Sequence, residues 1–112
     1  MIIRRIIENW RESVRMDLRR SVKPYFKGCS FNYSSFRSGS ETYLTIDYKG
    51  IVLEFIQELG QLVVSIDGVD ARESPLFADD IKNKLTILLS PNNLSASERN
   101  NRVAQLISHN LK

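Results

Sequence analysis

A thiol nucleophile and an imidazole base are each present once in this sequence, as Cys29 and His109. A thiolate nucleophile needs a base within hydrogen-bond reach, and that base needs an orienting partner. Cys29 falls in an expected strand and His109 near the C-terminal end, so nothing in their placement assigns one to the other. Zinc takes about four Cys, His or carboxylate ligands, or about three at a catalytic centre. One Cys and one His fall short of that set. Asp67, Asp70 and Glu73 in DGVDARE share a little with a calcium loop, but the EF-hand spacing, central Gly and terminal Glu are not met. Asp79 and Asp80 are adjacent, which on a helix sets them about 100° apart rather than facing one another. The five glycines stand singly at turns, so there is no phosphate-cradling loop. The expectation is a chain that is not an enzyme and uses no cofactor or metal.

Binding chemistry has more to work with. Residues 1–27 hold eight of the sixteen Lys and Arg but three of the thirteen acids, a net of +5. The other 85 residues net −2, so the basicity belongs to one element. Ile3, Ile7, Trp10, Val14, Leu18 and Val22 recur at spacings of three and four, the stripe of an amphipathic helix running from Ile2 to about Val22. Arg4, Arg11, Arg15 and Arg19 flank that stripe, with Arg5, Arg20 and Lys23 further round; Asp17 and Ser21 lie beside it. Lys23-Pro24 ends the helix, because the residue before proline is pushed out of the α region.

Two readings of the arginine face compete. Glu8 and Glu12 sit three or four residues from Arg4, Arg11 and Arg15, as in a solvated, salt-bridged surface. Alternatively Arg11, Arg15, Arg19, Arg20 and Lys23 track phosphates, with Phe31 and Tyr33 as stacking residues for single-stranded nucleic acid. Against that, Phe31 and Tyr33 can instead pack beneath the first helix. A membrane-surface helix also fits Lys and Arg opposite Ile and Trp, but the sheet that follows needs a helix to cover it.

That sheet is the centre of the chain. TYLTIDY, IVLEFIQ and QLVVSI alternate with period two, which buries one face of each strand. Leu44, Ile46 and Tyr48 share a face in the first, Ile51, Leu53 and Phe55 in the second, and Leu62, Val64 and Ile66 in the third. A slip of one residue would turn a whole set outward. The pattern therefore selects a two-residue loop at Lys49-Gly50, pairing Tyr48 with Ile51 and Ile46 with Leu53. Leu59-Gly60 can close the second hairpin likewise, or a four-residue loop of the same parity can. The same register puts Tyr43, Ile56 and Val63 in an apolar row on the opposite face, beside the polar Thr45, Glu54 and Ser65. That row is either covered by a helix or left as a contact patch for a partner.

Gly28 to Phe36 supplies a fourth, N-terminal strand, followed by a polar connection over Arg37 to Glu41. Asp67-Gly68 is a turn. Ser74-Pro75 reads as a helix start, with Phe77, Ile81, Leu85 and Leu88 on one face to about Leu89. After Ser90-Pro91-Asn92-Asn93, a capping box of Ser95 and Glu98 opens a last helix. Its core residues are Val103, Leu106 and Ile107, and Arg99, Asn100, Asn101 and Arg102 are assigned to its polar outer face.

The elements run α-β-β-β-β-α-α: a single α+β domain over 1–112, with a four-stranded antiparallel meander, a long N-terminal helix and two C-terminal helices. Helices should cover the Leu44/Leu53/Val64 face, with Trp10 and Phe77 near the core. A lone cysteine, no ~20-residue apolar run and charges breaking up MIIRRIIENW point to a cytoplasmic protein without a membrane span. The expected function is a small protein-binding module that contacts another protein or a second copy through Tyr43, Ile56 and Val63. The alternative is nucleic-acid binding by the basic N-terminal helix.

Overall fold

The computed structural model describes residues 18–35, 41–58 and 60–111 of the chain. Its centre is an antiparallel meander: β1 (Ser30–Ser35), β2 (Thr42–Tyr48), β3 (Ile51–Glu58), β4 (Gln61–Ile66) and β5 (Val69–Asp70), each hydrogen-bonded to its neighbour in sequence. The register is the one that side-chain parity demands. Tyr48 lies opposite Ile51, Ile46 opposite Leu53, and Phe55 opposite Val64. Leu44, Ile46, Leu53, Phe55, Leu62, Val64 and Ile66 are all buried as a result.

The hairpins explain why the register holds. Lys49 and Gly50 have φ of 52° and 86°, the two left-handed residues that a primed two-residue turn requires. For Lys49 this conformation costs about 1 kcal/mol. Asp47 Oδ1 offsets part of it by accepting from Gly50 N at 3.1 Å. In the next hairpin Glu58 faces Gln61, so the connection again has two residues; Leu59 lies outside the described ones.

The sheet has five strands rather than four. Asp67 and Gly68 also take positive φ, 50° and 81°, so the chain doubles back instead of leaving the sheet. Val69 pairs with Ile66 and Asp70 with Ser65. A two-residue strand is too short to show any alternation, which is why the sequence displays only the turn before it. Asp67 is tied to β3 from both sides: its N–H donates to Val52 O and its Oδ1 accepts from Val52 N, each at 2.8 Å.

Of the expected helix from Ile2 to Val22, residues 18–22 (α1) are described; Trp10, Arg11 and Arg15 lie outside. Leu18 and Val22 are fully buried, and Pro24 turns the chain into a short 3-10 segment, Lys23–Tyr25. Phe26 then inserts its ring edge-on between Tyr48 and Phe55, at centroid distances of 5.9 and 6.3 Å. A second 3-10 turn, Ala71–Glu73, follows β5.

The next helix, α2, spans Asp79–Leu89 and does not begin at Ser74-Pro75. Ser74 Oγ accepts from Leu76 N at 3.2 Å, a local turn that competes with helix formation. Ala78 is extended, and the helix restarts after it with Asp79 and Asp80 in its first turn. The last helix, α3, spans Ala96–Asn110, and Ser95 Oγ caps it by accepting from Glu98 N at 3.1 Å.

The assignment of Arg99 and Asn100 to the outer face of α3 is corrected by the structure: both are buried. They precede Val103 by four and three residues, so the stripe that carries Val103 and Ile107 to the core passes through them. Asn101 and Arg102 do face out. Leu18, Val22, Phe77, Leu85, Val103 and Ile107 close over the sheet's apolar face in one cluster.

Candidate interaction surfaces

Register puts Tyr43 opposite Ile56 and Ile56 opposite Val63, on the face that points away from this core. No described helix packs on that face. Tyr43 and Ile56 are half-buried, while Val63 and Val52 are 44 % and 45 % exposed. Around the row stand acids. Glu54 and Glu58 bracket Ile56 along β3, Asp47 lies further along β2, and Glu41 Oε2 accepts the Tyr43 hydroxyl at 2.7 Å. That hydrogen bond raises the Tyr43 phenol above its ordinary value, followed by desolvation and the charges of Glu41, Glu54 and Glu58. The outward positions of β1 to β4 carry no Lys or Arg. This face is an apolar row in a negative field.

A second surface forms where α1 meets β1. Arg19, Arg20, Lys23 and Lys27 border a cleft of about 790 Å³ together with Pro24, Cys29 and Phe31. Parity turns Phe31 toward the core side of the sheet, opposite Ile46, and Tyr33 holds the register position opposite Leu44. Phe31 packs against the core cluster, with Lys23 Nζ 5.9 Å from its ring centroid. Arg19, Arg20, Lys23 and Phe31 are thus brought together, with Lys27 as an addition the sequence reading did not single out. Lys27 belongs to the same basic stretch of sequence, residues 1–27, in the turn that follows Lys23–Tyr25.

The chain matches no protein-family model, no curated protein and no solved structure. What the surfaces can do therefore has to come from their own chemistry.

Cys29 and His109 border different clefts, the first beside Phe31 and the second beside Leu88 and Arg102. Among the described residues there is no group of three or more His, Cys, Asp or Glu that could hold a metal ion. No described helix is long and apolar enough to cross a membrane.

A third group of polar residues was not foreseen at all. Asn100 Nδ2 donates to Gln57 Oε1 at 2.8 Å, and Asn100 Oδ1 accepts from Arg99 Nε and Nη2 at 3.3 and 3.2 Å. Arg99 Nη1 donates to the carbonyl of Gly60 at the β3–β4 turn. Burial lowers the Arg99 pKa from its ordinary value, yet an arginine stays charged at neutral pH. Gln57 was readable as inward by parity with Leu53 and Phe55. Its partners belong to another element 43 residues away, which no local pattern reveals.

Proposed function

We propose that the chain is a non-enzymatic protein-binding module whose outer sheet face takes an apolar segment flanked by basic residues, supplied by a second copy of itself. One observation carries this: Tyr43, Ile56 and Val63 align across three adjacent strands on the face opposite the core, with acids and no bases at the outward strand positions around them. Charge complementarity selects the occupant. Residues 1–17 combine Ile3, Ile7, Trp10 and Val14 with Arg4, Arg5, Arg11 and Arg15, the chemical complement of that face. Burying the apolar row supplies affinity at roughly 25 cal/mol per Å² of apolar surface, and the charges orient the approach.

Light scattering across a protein concentration series tests this reading. The wild type is expected to self-associate, less so as salt rises, and Ile56→Lys and Val63→Lys to be monomeric while still unfolding cooperatively. A wild type that stays monomeric at high micromolar concentration in low salt would sink it.

A second reading rests on the four cations around the Phe31 cleft, which suit a phosphate backbone. Four phosphate contacts would weaken binding roughly 50- to 150-fold between about 50 and 200 mM salt. No binding of single- or double-stranded oligonucleotides at low salt would remove it.

A further inference from the structure

The interior polar group of α3 opens onto the surface. A cleft of about 460 Å³ runs from the β3–β4 turn, past Arg72, to the Ser90–Leu94 linker and the first turn of α3. Two guanidinium groups line it, Arg99 and Arg72, and no carboxylate among the described residues does. Leu62, Leu89, Pro91 and Leu94 give it an apolar wall.

Arg99 is 91 % buried by the fold, with 9 % of its surface left, and no described carboxylate lies within ion-pair distance of it. A buried charge is ordinarily paired, because its desolvation is otherwise uncompensated. Nε, one Nη1 N–H and one Nη2 N–H are occupied by Asn100 and Gly60. A guanidinium has five donors in a planar fork, so one N–H on Nη1 and one on Nη2 find no acceptor among the described residues. Arg72 is already held: its Nε donates to Asp70 Oδ1 at 3.0 Å and its Nη2 to Asp70 Oδ2 at 2.7 Å. That pairing fixes its orientation and leaves Nη1 uncommitted. Ala96, the first residue of α3, also lines the cleft, which places the positive end of a fifteen-residue helix there.

We propose that this cleft binds an oxyanion, a carboxylate or a phosphate monoester borne on a small apolar body, with Arg99 and Arg72 as its ligands. The anion supplies the counter-charge that the fold withholds from Arg99. The apolar body packs on Leu62, Leu89, Pro91 and Leu94, in the usual division of a small-molecule site into a greasy wall and a few placed polar groups. This site is separate from the outer-face contact proposed above, and neither depends on the other.

The test is an NMR titration of the full ¹⁵N-labelled chain with phenyl phosphate, N-acetyl-leucine and, as neutral control, N-acetyl-leucine amide, each to millimolar concentration. The expected result is a saturable shift of the Arg99 Nε–H and of the Gly60 and Ala96 amides with one or both anions, and none with the amide. Which anion binds the tighter identifies whether phosphate or carboxylate is the natural group. Arg72→Gln, on an exposed residue that leaves the core intact, should weaken binding about tenfold, the loss of one charged hydrogen bond. Absence of any saturable shift at these three signals overturns the proposal. So does an equal response to the neutral amide, or wild-type affinity in Arg72→Gln.

Discussion

Asn100 Nδ2 donates to Gln57 Oε1 at 2.8 Å inside the protein, joining the second turn of α3 to the end of β3. Both side chains are buried, and Asn100 also holds the guanidinium of Arg99. Asn100→Ala removes a donor from one partner and an acceptor from the other. The loss should be about 2–4 kcal/mol, because the groups left behind remain out of water. Asn100→Asp keeps the acceptor for Arg99, and a flipped Gln57 amide can donate to it, so that variant should lose less than about 1 kcal/mol. Urea midpoints of the three proteins decide it. An alanine variant as stable as the wild type would mean that this chain of bonds does not hold α3 in place.

Asp67 combines a left-handed backbone with a side-chain bond to Val52 N. Alanine can supply neither, so Asp67→Ala is expected to cost about 1–2 kcal/mol, whereas Asp67→Asn should stay within about 0.5 kcal/mol. Chemical denaturation separates these outcomes. Equal losses in both variants would show that the carboxylate charge, rather than the turn geometry, is what matters there.

Acid should weaken the link between β5 and the 3-10 turn that follows it. The Arg72 guanidinium, through its side-chain hydrogen bonds, lowers the Asp70 pKa below the ordinary 3.8. A depressed carboxylate pKa stabilises the fold fully above the unfolded value and loses that contribution as pH falls through the folded one. Both partners are part-exposed, so the pair contributes about 0.5–1 kcal/mol. Asp70→Asn should therefore be less stable than wild type by that amount at neutral pH, and the gap should close once the pH is well below 3.8. A gap that persists unchanged in acid would show that the ion pair is not its source, since Asn keeps the oxygen that accepts from Arg72 N.

The start of α3 rests on one side chain. Ser95→Ala deletes the acceptor for Glu98 N and should cost about 1 kcal/mol, while Ser95→Asp should be tolerated. Thermal unfolding reads this directly. Indifference to alanine would mean that packing of Val103 and Ile107 alone nucleates the helix.

Parity was legible because it is local. In β2, β3 and β4 each residue's face follows from its neighbours two positions away, and seven inward side chains can share a core in one register only. The turn at Lys49-Gly50, the cap at Ser95 and the break at Pro24 were readable for the same reason, since each depends on residues within one turn of chain. The start of α2 was misread because Ser74 carries the same cap signal whether a helix or a single turn follows it.

Period and turn chemistry in this sequence determine an α+β meander, its register, and which row of side chains points away from the core. Only the tertiary structure decided that Arg99 and Asn100 turn inward, that Gln57 meets them, and that Arg72 comes to border the same cleft. Those facts depend on where α3 lies against the β3–β4 hairpin. Polar residues carry no periodic signature of burial, because a buried amide or guanidinium is stable only through partners that the fold, not the neighbouring sequence, brings within reach.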